Sequence, residues 1–255
     1  MITSQSPAAP AKNPPTFVLC EVGDPGIAGL ESFSPFCLKV HRALKVLGLP
    51  YTSRHGRPDQ FKHLNRTGQI PVLLSDDKPV ADSTEIVKHI QQYSSRNLTP
   101  SDNPTLTAQA WLWEEFADTV IYGFVVACRW ADEENWQRTK AAFFSPLPFL
   151  LRDMVAAGVR KKILNSLTAR DVWRAGAPAC WARLANLLRD LDTCAPTRGY
   201  WVGESLSIAD IALFAQLHSL RTPLTPVQAQ ELAQYPNLSA YLDRIQQETY
   251  APSAS

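Results

Sequence analysis

The chain has 255 residues, 45% of them apolar, and a formal net charge of +1. This length suggests one large domain or two modest ones, and the apolar content is enough for a proper core. The near-neutral charge provides no long-range field toward nucleic acid or acidic lipid, so we expect no nucleic-acid partner. The densest basic run, Arg160-Lys161-Lys162, is interpreted as a solvated helix face.

The cysteines and the apolar runs narrow the class of protein further. The five cysteines are odd in number and scattered, which excludes a disulfide framework and a paired-cysteine redox motif. Together with the lack of a signal peptide, they predict a reducing, cytoplasmic location. The histidines show no metal-ligand spacing, so we expect no metal. The apolar runs are far shorter than the ~20 residues of a membrane span.

The first part of the chain alternates predicted strands and helices. Residues 1–15 are rich in Pro, Ala and Ser and predict a disordered segment. Predicted strands near 16–21 and 51–55, a short helix at 58–64, a hairpin after Pro71 and a helix from 83 to about 93 then follow. This order predicts an α/β thioredoxin-like domain over 16–95, and 96–104 is linker-like.

From residue 105 onward the pattern predicts only helices, which gives an all-α domain over 105–247 and a C-terminal tail at 248–255. Helices are predicted at 105–130, 132–144, 149–167, 168–191, 207–217 and 237–247. Ser207 and Asp210 have the spacing of a capping box at the start of a nearly all-apolar helix. Their predicted role is therefore structural.

The stretch Ser34-Pro35-Phe36-Cys37 lies where the first strand leads into a helix. Free N–H groups and a partial positive charge at a helix N-terminus favour a bound anion. A serine there can donate a hydrogen bond to a ligand thiolate, and a cysteine there can itself become a thiolate. Alternatively, Ser34 is an ordinary N-cap followed by proline, and Cys37 is a small buried apolar residue.

Four motifs in this order resemble the soluble glutathione S-transferases over residues 16 to 247. They are Ser34-Pro35-Phe36-Cys37, Gly68-Gln69-Ile70-Pro71-Val72, Asp82-Ser83 and Ser207-Ile208-Ala209-Asp210. The resemblance implies a thioredoxin-like domain followed by an all-α domain, glutathione as co-substrate, an apolar electrophile as second substrate, and a homodimer. It also implies that Ser34 hydrogen-bonds the glutathione sulfur and favours the thiolate.

The resemblance places the rest of glutathione along the other two N-terminal motifs. Ile70, ahead of a cis Pro71, would offer its backbone N–H and C=O to the cysteinyl part of the tripeptide. Ser83, at a helix N-cap, would bind the γ-glutamyl carboxylate, and Asp82 would pair with the γ-glutamyl ammonium. The alternative for Pro71 is a turn without a ligand, and for the Asp82-Ser83 pair it is simple helix capping.

The sequence constrains less strongly which residues contact the glycyl end of glutathione and the second substrate. Gln69 and Arg57 are placed to reach the glycyl carboxylate, although Arg57 reads equally well as an exposed loop residue. The second substrate would lie against Phe36 and against aromatic residues of the first helix of the C-terminal domain. Those candidates are Trp113, Phe116 and Tyr122. Aromatic residues at helical spacing are more often part of a core than of a ligand wall.

Residues 129–136, with the proline-broken helices after them, are similar to the helical domain of metaxin-like and failed-axon-connections-like proteins. Three functions therefore stay open. The chain could be a glutathione transferase acting through Ser34, or a glutathione-dependent thiol–disulfide (glutaredoxin-like) enzyme acting through Cys37. It could also be a non-catalytic binding or adaptor protein that retains the fold.

Overall fold

A computed structural model describes residues 14–100 and 102–250. The predicted disordered segment up to residue 13 and the predicted tail beyond residue 250 lie outside the described residues. The chain divides into two compact units. The first contains the residues up to Pro104 together with those from Glu248 onward, and the second contains Thr105–Gln247.

The first unit is a mixed four-stranded sheet with two α-helices. Its elements are β1 (Phe17–Glu21), α1 (Pro35–Val46), β2 (Tyr51–His55), β3 (Val72–Ser75), β4 (Lys78–Ala81) and α2 (Ser83–Ile90). The strand order is β2-β1-β3-β4, with β1 parallel to β2 and antiparallel to β3. This topology confirms the predicted thioredoxin-like α/β domain, and it makes β1 a central strand.

The central position of β1 explains its sequence. A strand that is covered on both faces reads as a continuous apolar run, and Phe17, Leu19 and Cys20 are all buried. Helix α1 is buried along most of its length, and Gly48 ends it with a φ of +68° that a residue with a side chain rarely adopts. The first turn of α1 belongs to this buried stretch, since Pro35 and Cys37 are both buried.

All the regular secondary structure in the described residues of the second unit is helical, which confirms the predicted helical domain. They are α3 (Pro104–Phe116), α4 (Tyr122–Trp130), α5 (Glu133–Phe144), α6 (Phe149–Ala169), α7 (Ala177–Cys194), α8 (Ile208–His218), α9 (Pro226–Leu232) and α10 (Pro236–Tyr250). A π-helical turn, Ala117–Ile121, joins α3 to α4. No helix in the described part of the chain is long and apolar enough to cross a membrane.

Several predicted helix boundaries are wrong. The helix predicted at 168–191 starts only at Ala177, because Gly176 has a φ of +81° and a proline follows within the first turn. The residues before it form the end of α6 and a short 3-10 turn, Asp171–Trp173. The last helix begins one residue before the predicted start and continues to Tyr250. Helix α9 was not predicted.

Helix α8 is buried from Ile208 to Leu217 and is organised by one carboxylate. The Oδ2 atom of Asp210 accepts from the Ser207 N–H at 2.8 Å and from the Ser207 hydroxyl at 2.9 Å. Its Oδ1 atom accepts from the Trp201 N–H at 2.7 Å and from the Tyr241 hydroxyl at 2.8 Å. Burial raises the pKa of Asp210, and these donors partly oppose the shift.

Candidate functional site

Ser34 is the N-cap of α1 and is half-buried. Its backbone is extended, and its Oγ accepts the N–H of Cys37 at 3.4 Å, near the upper limit for a hydrogen bond. Its own N–H donates to the Ser32 hydroxyl at 3.3 Å. A hydroxyl accepts through its lone pairs and still has its proton to donate. The Ser34 hydroxyl can therefore cap the helix and, at the same time, donate a hydrogen bond to an anionic ligand.

Cys37 lies one turn inside α1 and is fully buried. Burial, with a further contribution from the negative charge of Glu21, raises the pKa of the Cys37 thiol to about 12. The thiol is therefore protonated at neutral pH. Since the thiolate is the nucleophile, this environment opposes redox chemistry at Cys37.

The burial of each cysteine predicts how fast its thiol reacts in the native protein. Cys20, Cys37, Cys128 and Cys180 are fully buried, and Cys194 is exposed. We expect Ellman's reagent to modify Cys194 rapidly in the native protein and the others only on unfolding, because a reagent reaches only accessible thiolates. The Cys194→Ser variant should lose the fast phase. A fast phase that persists in this variant would mean that one of the buried thiols is accessible.

A polar network around the buried Glu21 carboxylate holds α1 against the sheet. The Glu21 carboxylate lies 2.9 Å from His41 Nε2 and accepts the Ser53 hydroxyl at 2.7 Å. The other ring nitrogen of His41 lies 2.6 Å from the Tyr51 hydroxyl. Burial raises the pKa of Tyr51, so its protonated hydroxyl can donate to His41. The network joins β1, α1 and β2 and satisfies a carboxylate that would be costly to bury alone.

The long loop before Ser34 is tied to α1 by charged side chains. The Glu31 carboxylate accepts from Arg42 and Lys45, and Arg42 also donates to the Gly29 carbonyl at 2.6 Å and to the Thr249 hydroxyl at 3.1 Å. Burial alone would raise the pKa of Glu31, but the two cations outweigh it and lower the pKa. Sequence reasoning missed this cluster, because Arg42 and Thr249 are distant in the sequence.

The predicted backbone-binding segment lies directly before β3. The peptide bond between Ile70 and Pro71 is cis, and Pro71 is buried. The β1–β3 pairing ends at Cys20–Val72, so Ile70 lies beyond the last paired residue. Gln69 is exposed, and its carbonyl accepts from the Asn65 side chain at 2.8 Å.

The prediction that Ser83 is the N-cap of its helix is wrong, because Asp82 takes that position. The Asp82 carboxylate accepts the N–H groups of Thr84 at 2.9 Å and of Glu85 at 3.3 Å. Ser83 is the first helical residue and is buried. Asp82 has a φ of +78°, which costs about 1–3 kcal/mol in a residue with a side chain. Such strain is concentrated at functional sites.

Arg57 is exposed and pairs with Asp59, the Nε–Oδ1 distance being 3.0 Å. Both side chains are more than half exposed, so the pair is weak and leaves the guanidinium available. Arg57 also begins a 3-10 turn, Pro58–Phe61, where a longer helix to residue 64 was predicted.

Two of the four residues predicted to contact the second substrate belong to one aromatic cluster. Trp113 contacts Phe116 and Trp201, with ring centroids 5.4 Å and 5.1 Å apart. Tyr122 is half-buried and lies under the Arg170 guanidinium at 5.7 Å. Phe36 is half-buried in the first unit. In the second unit, Trp113 and Phe116 therefore contribute to aromatic packing while both remain half-buried.

Two family models match the chain. Residues 35–135 match the glutathione S-transferase N-terminal domain, and residues 153–244 match the glutathione S-transferase C-terminal domain. Together they span most of both units.

The chain is similar in sequence to several curated proteins. It is 35% identical to glutathione transferase GST 23 of Zea mays over 92 residues, which are 33% of this chain and 41% of the maize protein. It is 28% identical to protein LigF of Sphingobium over 204 residues, 73% of each chain. It is 22% identical to Failed axon connections of Drosophila melanogaster over 244 residues, 87% of this chain and 55% of that protein. The maize match thus covers less than half of that protein's length.

Solved structures show the same fold. The β-etherase LigF from Sphingobium superposes with a TM-score of 0.66 at 23% identity, covering 93% of this chain and all of that chain. A glutathione S-transferase from Methylobacterium radiotolerans, in complex with glutathione sulfonate, superposes with a TM-score of 0.58 at 19% identity. It covers 94% of this chain and 96% of that chain. At these identities, the likeness concerns the fold.

Proposed function

The chain belongs to the glutathione S-transferase family, and from that premise we propose that it binds glutathione and directs its thiolate onto a small apolar electrophile. The observation that carries the proposal is Ser34 at the N-cap of α1, beside a Cys37 thiol that stays protonated at neutral pH. The helix N-terminus and a serine hydroxyl suit an anionic sulfur supplied by a ligand. Relatives named as glutathione transferases support this reading.

In the proposed reaction, the Ser34 hydroxyl donates to the glutathione sulfur and stabilises the thiolate after its proton has left for solvent. The thiolate lone pair then forms a C–S bond with the electrophilic carbon. In a substitution, the leaving group departs with the electron pair of the broken bond. In an addition, water protonates the carbanion or enolate that forms.

The rest of glutathione is proposed to lie along the segments that follow β2. Ile70 is beyond the end of the strand pairing, where its backbone can pair with the cysteinyl part of an extended peptide. Ser83, the first residue of α2, would bind the γ-glutamyl carboxylate, and the strained Asp82 would hold the γ-glutamyl ammonium. Gln69 and Arg57 would face the glycyl carboxylate.

Titration of glutathione by calorimetry tests this placement. In the Ser83→Ala variant, we expect the dissociation constant for glutathione to rise at least about tenfold, because a hydrogen bond to a charged group is lost. Ser239→Ala is the matched control, since that half-buried hydroxyl in the second unit bonds the Leu232 carbonyl. Equal affinity in wild type and Ser83→Ala would refute the γ-glutamyl site. No saturable binding to the wild-type protein would refute the proposed function.

A second candidate is a non-catalytic binding or adaptor protein. The similarity to Failed axon connections, over 87% of this chain, favours it. Such a protein would either bind glutathione or lack the glutathione site. In both cases it would convert no electrophile from a broad panel. Turnover that depends on Ser34 would exclude it.

The redox alternative requires a mixed disulfide between Cys37 and glutathione. The burial of the thiol and its raised pKa oppose that step. We therefore expect a Cys37→Ser variant to keep the full activity of the wild type. Mass spectrometry after incubation with oxidised glutathione should find no adduct at Cys37.

A further inference from the structure

Helix α6 exposes a row of aliphatic side chains to solvent. The exposed fractions are 89% for Leu150, 49% for Leu151, 67% for Met154, 38% for Val155 and 37% for Val159. At about 3.6 residues per turn, these positions lie on one side of the helix. The opposite side packs inward at Ala156 and Leu167, which are fully buried. One packed side is sufficient for a helix of a folded domain, so the outer row needs a separate explanation.

The same side of α6 becomes basic one turn later. Lys161 and Lys162, two and three positions after Val159, are exposed. The only acidic residue of α6 is Asp153, which lies off this side and pairs with Lys140 at 3.2 Å. We define the α6 outer face as Leu150, Leu151, Met154, Val155, Val159, Lys161 and Lys162. It combines aliphatic side chains with two cations and no carboxylate.

We propose that the α6 outer face binds the surface of an anionic phospholipid bilayer. The aliphatic row would enter the boundary between headgroups and acyl chains, and the two lysine ammonium groups would contact lipid phosphates. The row extends over ten positions, or about 15 Å of helix, and lies parallel to the surface. The overall charge of +1 provides no long-range attraction, so the contact depends on this local combination of groups.

Two features of the face favour lipid over a protein partner. Four of its five apolar side chains are Leu or Val, which are under-represented among the residues that dominate binding at protein interfaces. A second copy of the chain would bring another pair of lysines to the contact with no carboxylate from this face to match them. Phospholipid headgroups supply the missing negative charge.

Co-sedimentation with vesicles tests the proposal. The wild-type protein should bind vesicles of phosphatidylcholine mixed with phosphatidylserine, and should bind pure phosphatidylcholine far more weakly. The double variant Leu150→Ser, Met154→Ser should lose binding to both. The double variant Lys161→Gln, Lys162→Gln should bind the mixed vesicles about thirtyfold more weakly than the wild type does. On pure phosphatidylcholine, the affinities of the two proteins should be nearly equal.

The matched control is the double variant Leu112→Ser, Val227→Ser, whose exposed fractions in the wild type are 69% and 54%. It removes exposed aliphatic side chains elsewhere and should bind like wild type. The proposal is overturned if wild type ignores the mixed vesicles, or if the Leu150, Met154 variant binds them normally. It is also overturned by another pair of results. Sedimentation velocity would show a dimer for the wild type and a monomer for the Leu150, Met154 variant, and neither protein would bind vesicles. Glutathione titration of the same variants reports on the proposed function separately.

Discussion

Replacing Ser34 by alanine should lower kcat/KM for glutathione conjugation about a hundredfold, while the free energy of unfolding falls by about 1 kcal/mol. The activity falls because the variant lacks the hydroxyl that would donate to the thiolate, and removal of one such preorganised donor typically has an effect of this size. The stability changes little because the capping bond, from the Cys37 N–H to Ser34 Oγ, is already long at 3.4 Å.

The pH profile separates this role from a structural one. In the wild type, kcat/KM should rise through an apparent pKa below that of the free glutathione thiol, since Ser34 and the helix N-terminus stabilise the thiolate. In Ser34→Ala, the apparent pKa should move back toward the free value. Ser34→Thr is the control, because it keeps a hydroxyl at the N-cap and should retain most of the activity. A Ser34→Ala enzyme with wild-type kcat/KM at every pH would rule out the proposed role.

Replacing Asp210 by alanine should destabilise the second unit by about 4 kcal/mol. The wild-type carboxylate accepts hydrogen bonds from four donors on Ser207, Trp201 and Tyr241. These donors are in a region that is largely closed to water, so their loss of a partner costs about 1 kcal/mol each. Urea unfolding should show the change in midpoint. Asp190→Ala, at an exposed position on α7, is the control and should change the midpoint little. A loss below about 1 kcal/mol in Asp210→Ala would contradict the network.

The raised pKa of Asp210 gives this effect a pH dependence. Because the folded-state pKa lies above the unfolded-state value, the folded protein binds the proton more tightly. The associated stability is fully present below the unfolded-state pKa and is lost as the pH rises through the folded-state pKa. Relative to Asp210→Asn, which does not titrate, the wild type should therefore gain stability on acidification. An unfolding free-energy difference that is constant with pH would contradict the shift.

The sequence predicted the features that depend on neighbours along the chain. The bounds of β2, the N-cap at Ser34 and the start of α8 after Ser207 follow from alternation, capping residues and glycine or proline, all within a few residues. The order of these elements then indicated the thioredoxin-like domain and the helical domain. Helix α9 was missed because its seven residues are too few to show a helical period.

Tertiary structure decided the features that depend on what packs against each residue. The sequence left Cys37 open as a nucleophile, and its burial beside Glu21 is what raises the pKa of the thiol. The contact of Arg42 with Thr249 joins distant parts of the chain, and no local pattern encodes it. Likewise, the sequence predicted that the basic run on α6 is an ordinary solvated face. Only the structure shows the exposed aliphatic row beside it. Periodicity defines the faces of a helix, but only packing determines which face is covered.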